Sequence, residues 1–116
     1  MDALQSTDEL LRIAISQRRQ IRFWYDGKER IVEPHDYGIQ NGRPRLLAYQ
    51  IAGQSNSGRL PAWRLVDLAG MTRLELLDRK FSGGRPASGR RHKWDQLFIR
   101  VDEPIEGNGK ASAEGP

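Results

Sequence analysis

The 116-residue chain has no cysteine and only two histidines. Without cysteine there is no disulfide framework and no thiolate to hold a metal. The two histidines and the scattered carboxylates show no metal-ligand spacing, so we expect no metal and no cofactor. The longest apolar runs are only a few residues, such as Leu46-Leu47-Ala48-Tyr49. Because a membrane helix needs roughly 20 apolar residues, we expect no membrane partner.

Hydrophobic residues are scarce as well, at 37% of the chain, with a mean hydropathy of −0.71. The length suits one domain with a modest core. The N-terminal residues show neither a basic region nor a long apolar segment, so a secretory signal is not expected. The sequence therefore predicts one small cytoplasmic domain.

Positive charge is concentrated in the middle of the chain. The net charge is +4, but residues 41–100 hold twelve Lys or Arg against four acids, and arginine outnumbers lysine fifteen to four over the whole chain. Arginine grips phosphate or carboxylate with two parallel hydrogen bonds, which favours an anionic partner. The same composition also fits arginines spread over solvated surfaces.

The domain is predicted to begin with a helix over about residues 7–19, after a flexible segment 1–6. Ser6 and Glu9 form a capping-box pattern, and apolar residues then recur at helical spacing. Arginines near residue 19 suit the negative end of the helix dipole.

The pattern then changes to strands over residues 21–81. Residues 21–25 alternate and are rich in aromatics, and Asp26-Gly27 predicts a hairpin turn. The return strand covers residues 30–33, and Pro34 is expected to end it because proline lacks an N–H. A second turn is predicted at Asn41-Gly42. Further extended segments follow at residues 37–40, 45–51, 63–68 and 72–77.

These five to six strands predict a mainly β fold of the α+β type, a small SH3-like or Sm-like β-barrel with the helix on one opening. Residues 82–93 form a basic loop, which either contacts a nucleic-acid backbone or is a solvated linker. Residues 94–101 close the domain as a helix or a strand, and residues 102–116 are predicted to be disordered. The cations of the loop that we select as a secondary site are Arg85, Arg90, Arg91 and Lys93.

The stretch from Ile21 to Phe81 resembles the WYL domain family, in its short standalone form. The resemblance rests on four segments: Ile21-Arg22-Phe23-Trp24-Tyr25, Arg30-Ile31-Val32-Glu33-Pro34-His35, Arg45-Leu46-Leu47-Ala48-Tyr49, and Trp63-Arg64-Leu65-Val66-Asp67-Leu68. The name-giving triplet is replaced by Arg45-Leu46-Leu47, and Asp67 stands where the family has a ligand-contacting arginine. The resemblance implies a small barrel that senses ligands in bacterial transcription regulation, with nucleotides or nucleic acids as ligands.

The candidate site combines arginines with aromatic rings. If the third and fourth strands are neighbours, we expect Arg45 and Arg64 to converge on one face, with rings beside them as stacking platforms for bases. Each ring also suits core packing. The predicted ligand-binding residues are Arg43, Arg45, Arg59, Arg64, Tyr25, Tyr37, Trp63 and His35, and Tyr49 is a further candidate ring.

Three classes of function remain open from the sequence. The first is a binding module for a nucleotide or single-stranded nucleic acid. The second is a protein-interaction or oligomerisation module that uses open strand edges. The third is a hydrolase in which His35 and Asp36 act as base and orienting group. A general base needs a partner within reach and none is visible in the sequence. We therefore favour packing of His35, after Pro34, against Tyr37 or Trp24, and expect no enzyme.

Overall fold

The computed structural model describes residues 3–55, 59–85 and 93–102. It begins with helix α1, Ala3–Gln17. The predicted start is wrong: Ser6 lies inside the helix and residues from Ala3 onward are not a loose end. Ala, Leu and Gln are good helix formers, so the helix extends one turn before the capping pattern. It ends because Arg18 adopts a left-handed φ of 56°.

In the described ranges, six strands follow the helix and form one antiparallel sheet. They are β1 (Arg19–Tyr25), β2 (Lys28–Gln40), β3 (Arg43–Gly53), β4 (Ala62–Asp67), β5 (Met71–Lys80) and β6 (Gln96–Arg100). The order is β4-β3-β2-β1-β5, and β6 pairs with β2. The mainly β fold with one N-terminal helix is confirmed. In the part of the chain that the structure describes, β4 and β5 do not pair, so the sheet is not closed as a barrel.

Both predicted hairpin turns are present. Asp26 and Gly27 have φ values of 56° and 71°, and Asn41 and Gly42 have 53° and 77°. Positive φ at both central residues is what a two-residue type I′ turn requires, and Asn, Asp and Gly adopt it most easily. The first turn sets Tyr25 opposite Lys28.

The return strand does not end at Pro34, contrary to the sequence prediction. β3 pairs along one edge of β2. On the other edge, β1 pairs with residues 28–32 and β6 pairs with residues 36–39. Pro34 lies between these two partners, at a register shift in the pairing with β3. A proline is tolerated there because its missing N–H falls at a bulge.

The closing segment is a strand rather than a helix. β6 approaches β2 so closely that a Cβ on Gly38 would lie 2.2 Å from the Gln96 carbonyl oxygen. Of the predicted basic loop, the structure describes residues 82–85 and 93. Arg90 and Arg91, like the predicted tail after Asp102, lie outside the described residues.

The core lies between the helix and one face of the sheet, which we call the inner face. This face carries the fully buried Phe23, Val32, Leu46 and Val66, and helix residues such as Leu11 pack against it. Side chains alternate between faces along each strand, so residues two positions from these also point inward. In the described residues, no helix is long and apolar enough to span a membrane.

Candidate anion-binding site

Arg30 points into the inner face of the sheet. It pairs with Phe23 across β1 and β2 and precedes Val32 by two residues, so it shares the face of both core residues. It is only 6% exposed. Its guanidinium lies 5.4 Å from the centre of the Tyr25 ring, and its Nε atom is buried with no hydrogen-bond partner among the described residues. A buried cation therefore lies at one end of the core.

Arg64 and Gln50 complete the cluster on β4 and β3. Gln50 follows Ala48 by two residues, and Arg64 pairs with Ala48, so both point inward beside Arg30. The Gln50 Oε1 atom accepts hydrogen bonds from Arg64 Nε at 2.8 Å and from Arg30 Nη1 at 3.3 Å. Two guanidinium groups therefore share one neutral oxygen.

The Gln50 amide nitrogen and the Arg64 Nη2 atom make hydrogen bonds to the end of β3 and to the residues that follow it. Gln50 Nε2 donates to the carbonyl oxygens of Ala52 and Gln54 at 3.0 and 2.9 Å. Arg64 Nη2 donates to the Ser55 hydroxyl at 2.6 Å. These contacts fix the position of the amide oxygen between the two arginines. We call Arg30, Arg64 and Gln50 the inner arginine cluster.

No ion pair among the described residues matches the two positive charges of the inner arginine cluster, although the charge of Asp26 favours the charged form of Arg30. Within the described ranges, neither Arg30 nor Arg64 has a carboxylate within salt-bridge distance. Burial, followed by the positive charge of Arg64, lowers the pKa of Arg30 below its ordinary value. Both causes disfavour the charged form, and a bound anion would oppose both.

Most other arginines of the sheet and helix have acidic partners. Arg12 pairs with Asp8, Arg18 with Asp102, Arg19 with Asp78, Arg22 with Glu29 and Glu75, Arg43 with Asp67, Arg85 with Glu33, and Arg100 with Asp36. These pairs show that the chain commonly supplies a carboxylate where an arginine is held in place. The inner arginine cluster departs from that pattern.

The structure does not bring the four predicted arginines together. Arg45 pairs with Asp67 in the register of β3 and β4, whereas Arg64 pairs with Ala48, so Arg45 and Arg64 point to opposite faces. The expectation that they converge is therefore wrong: the strands are neighbours, but residue parity separates the side chains. Arg45 donates to Gln40 at 3.1 Å, and Arg59 lies exposed before β4.

Asp67, at the position matched to the family's ligand-contacting arginine, has a structural role here. It accepts from Arg43 at 2.9 Å and from the Ala69 N–H at 3.2 Å, and so caps the short 3₁₀ helix Leu68–Gly70. The hydrogen bond from Arg43, followed by that from Ala69, lowers the pKa of Asp67. Arg43 is thereby held on the outer face, the face of the sheet opposite the core.

His35 and Trp63 also lie away from the inner arginine cluster. His35 is 4% exposed, with its ring 4.8 Å from that of Trp63 and 5.7 Å from that of Phe81. Its Nε2 atom accepts from the Arg85 N–H at 3.1 Å, so Nδ1 carries the proton and donates to the Glu33 carbonyl at 2.8 Å. Both ring nitrogens are engaged. His35 packs as the sequence allowed, but against partners other than Tyr37 or Trp24.

Arg85 of the basic loop is also held by the domain itself. Its guanidinium donates to both carboxylate oxygens of Glu33, at 2.5 and 3.0 Å, and lies 4.4 Å from the centre of the Tyr49 ring. The Glu33 side chain is only 4% exposed. Lys93 is exposed, and its carbonyl oxygen accepts from Gln40 at 3.2 Å. Arg85 therefore attaches the segment after β5 to the outer face of the sheet.

The two remaining candidate rings, Tyr37 and Tyr25, lie in different parts of the fold. Tyr37 lies under α1, where its hydroxyl donates to Asp8 at 2.7 Å. Tyr25 lies at the inner arginine cluster, with Arg30 over its ring and with its hydroxyl accepting from the Asp67 N–H at 3.3 Å. Of the eight predicted ligand-binding residues, Arg64 and Tyr25 lie at this cluster, whereas Arg43, Arg45, Tyr37, Trp63 and His35 lie elsewhere.

Arg30 and Gln50 were not selected from the sequence, although a signal for Arg30 was present. A two-residue turn at Asp26-Gly27 fixes the register of the hairpin, which sets Arg30 opposite Phe23 on the apolar face. An arginine on an apolar face is unusual unless it is paired. Gln50 offered no comparable signal, because its neighbours depend on the path of β4.

Comparison with protein-family models, with curated proteins and with solved structures found no match to this chain. Function therefore has to be argued from the site itself. Over the described ranges, no group of three or more His, Asp or Glu side chains could hold a metal ion.

Proposed function

We propose that this chain is a binding module that takes an anionic ligand, a nucleotide or single-stranded nucleic acid, at the inner arginine cluster. The observation that carries the proposal is that Arg30 and Arg64 share one neutral acceptor, Gln50, and have no carboxylate partner among the described residues. An unpaired buried cation is unfavourable, and sites that bind anions keep such groups ready for the ligand.

An anion at this cluster would supply the acceptor oxygens and the negative charge that the described residues do not place beside the two arginines. Its oxygens would accept hydrogen bonds that Arg30 and Arg64 do not make within the chain, and its charge would offset their mutual repulsion. Guanidinium forks suit the planar edge of phosphate oxygens better than a lysine would. Phosphate is therefore the favoured ligand group.

We further propose an SH3-like arrangement of the WYL kind, with a role in ligand sensing for regulation. The strand order β4-β3-β2-β1-β5 and the 3₁₀ helix between β4 and β5 support it. Tyr25 also links β1 to the end of β4 through its hydroxyl. A binding role rather than catalysis is supported by His35, whose two ring nitrogens are both committed within the fold.

The test measures binding of a labelled single-stranded oligonucleotide at low salt, with Arg64→Gln compared with Arg43→Gln. The two variants lose the same charge, but Arg43 lies on the outer face in an ion pair with Asp67. We expect Arg64→Gln to weaken binding about tenfold or more, as the loss of a charged hydrogen bond implies. Arg43→Gln should change it by less than about threefold.

Salt dependence provides an independent readout. Binding driven by phosphate should weaken steeply between low and moderate salt. Absence of binding at low salt of both this oligonucleotide and a free nucleoside 5′-monophosphate, or equal effects of the two variants, would contradict the proposal.

Self-association is a second candidate, because β4 has only β3 as a strand neighbour among the described strands. An open edge offers unpaired backbone groups to a second chain. Sedimentation across a range of protein concentrations tests this candidate. An apolar dimer should persist at high salt, whereas ligand binding should not.

A further inference from the structure

The charge and the burial of the inner arginine cluster bear on which kind of phosphate it would bind. We propose that it selects a phosphomonoester, the terminal phosphate of a nucleotide or of a strand end, over the phosphodiester inside a strand. This inference rests on the proposed function and specifies its ligand class.

The charge of the cluster matches a dianion. Arg30 and Arg64 bring two positive charges to one oxygen of Gln50, with no carboxylate in salt-bridge range in the described part of the chain. A phosphomonoester carries about −1.5 to −2 at pH 7, because its second pKa is about 6. A phosphodiester carries a single negative charge at every pH above its low pKa. The monoester therefore matches the two positive charges more closely than the diester does.

The depth of Arg30 adds a steric requirement. Arg30 is 6% exposed and Arg64 is only partly buried, so Arg30 forms the floor of the cluster and Arg64 its rim. A terminal phosphate has three free oxygens and enters end-on. A phosphodiester is substituted on both sides, and its chain would have to pass over the rim on each side. The Arg30 Nε atom is itself buried, so a ligand can reach it only if side chains around the cluster move, and the smaller terminal phosphate requires less displacement than a phosphodiester.

The rings near the cluster are not available for base stacking. The Tyr25 ring already faces the Arg30 guanidinium, and Trp63 lies on the outer face between Tyr49 and His35. Recognition by the inner arginine cluster should therefore depend on the phosphate and be nearly independent of the base. This differs from single-strand binding proteins, in which stacked rings carry much of the affinity.

The experiment compares adenosine 5′-monophosphate with adenosine 3′,5′-cyclic monophosphate by calorimetry on the full chain at low salt. The two ligands share base and sugar, but the first is a phosphomonoester and the second a phosphodiester. We expect the monophosphate to bind at least about tenfold tighter, by one additional charged hydrogen bond. This preference should shrink below about pH 6, where the monoester loses its second charge. Uridine 5′-monophosphate should bind within about threefold of the adenosine form.

The variant Arg64→Gln should reduce the preference, and Arg43→Gln should leave it unchanged. A 5′-phosphorylated oligonucleotide should bind more tightly than the same strand with a 5′-hydroxyl. If the affinity of the 5′-phosphorylated oligonucleotide also exceeds that of the free monophosphate, the ligand is a strand end. If it does not, the ligand is a nucleotide.

Equal affinity for the two adenosine ligands, or for the two oligonucleotides, would overturn the inference. If that equal binding is still lost in Arg64→Gln, the proposed function stands and only the selectivity fails. If no phosphate compound binds at low salt, both fail.

Discussion

Replacing Arg30 by methionine should stabilise the protein in phosphate-free buffer while it removes anion binding. Methionine keeps most of the length and apolar stem of arginine but carries no charge. The substitution therefore leaves the packing around Val32 and Phe23 largely filled. An unpaired buried charge is replaced by an apolar group, a change that is often neutral or stabilising in proteins.

The magnitude follows from the geometry of the cluster. Arg30 Nη1 and Arg64 Nε bond to the same oxygen at 3.3 and 2.8 Å, so they are at most about 6 Å apart. Two unit charges at about 6 Å repel by about 3 kcal/mol at an effective dielectric constant of about 20. Removal of Arg30 also ends the desolvation of its charge, which costs several kcal/mol in a buried site.

The opposing losses are smaller. The hydrogen bond from Arg30 to Gln50 contributes about 1.5–3 kcal/mol, although Gln50 still accepts from Arg64 afterwards. The contact of the guanidinium with the Tyr25 ring contributes about 1 kcal/mol. Repulsion and desolvation together exceed these losses, and replacement of buried charges by apolar side chains often stabilises by about 1–4 kcal/mol. We therefore expect an increase within about that range in the free energy of unfolding.

Urea denaturation followed by tryptophan fluorescence measures this change, with Arg43→Met as the control. Arg43 is exposed and ion-paired, so its substitution should change stability by less than about 1 kcal/mol. Adding phosphate ligand at about 100 times its dissociation constant should stabilise the parent protein by about 2.7 kcal/mol. The Arg30→Met variant should show no such gain.

If Arg30→Met lowers the free energy of unfolding by more than about 1 kcal/mol without ligand, the reasoning is refuted. Arg30 would then hold the fold together, and its missing partner would not indicate a ligand.

Three further substitutions test other parts of the structure. Burial lowers the pKa of His35, so below about pH 6.5 the unfolded chain binds a proton that the folded protein does not bind. The free energy of unfolding should therefore be highest above that pH and fall below it. In a plot of urea midpoint against pH, His35→Gln should reduce the slope in this range. Gly38→Ala should destabilise by about 2 kcal/mol or more, because its Cβ would meet the Gln96 carbonyl at 2.2 Å; an unchanged urea midpoint would contradict this close approach. Tyr37→Phe removes the 2.7 Å hydrogen bond to Asp8 and should lower the free energy of unfolding, measured by thermal denaturation, by about 1 kcal/mol. An unchanged free energy of unfolding would mean that this bond does not help to hold α1 on the sheet.

Local chemistry made much of the fold predictable. The turns at Asp26-Gly27 and Asn41-Gly42 were identified because only a few residue types adopt positive φ at both central positions. Pro34 misled the prediction, because a missing N–H ends a strand only where a neighbour needs it. At Pro34 the pairing of β2 with β1 has ended and its pairing with β6 has not begun. No local sequence pattern predicts this change of partner strand.

The candidate site was harder to predict, because its members come from strands distant in the chain. Arg64 was selected for its charge, but its expected companion Arg45 points to the other face once the register of β3 and β4 is known. Arg85 was selected as a free cation of a basic loop, yet it is paired with a buried glutamate 52 residues away. Charge is visible in a sequence, whereas the partner that neutralises it is not.

The sequence is sufficient to predict the period of each segment, the two tight turns and the concentration of arginine in the middle of the chain, because each of these depends on neighbouring residues. Which arginines meet a carboxylate is a property of the folded chain. Arg30 and Arg64 come within reach of one amide oxygen only because β2, β3 and β4 lie side by side in one register. Pairing between strands is a long-range property, and a shift of one residue would send either arginine to the opposite face.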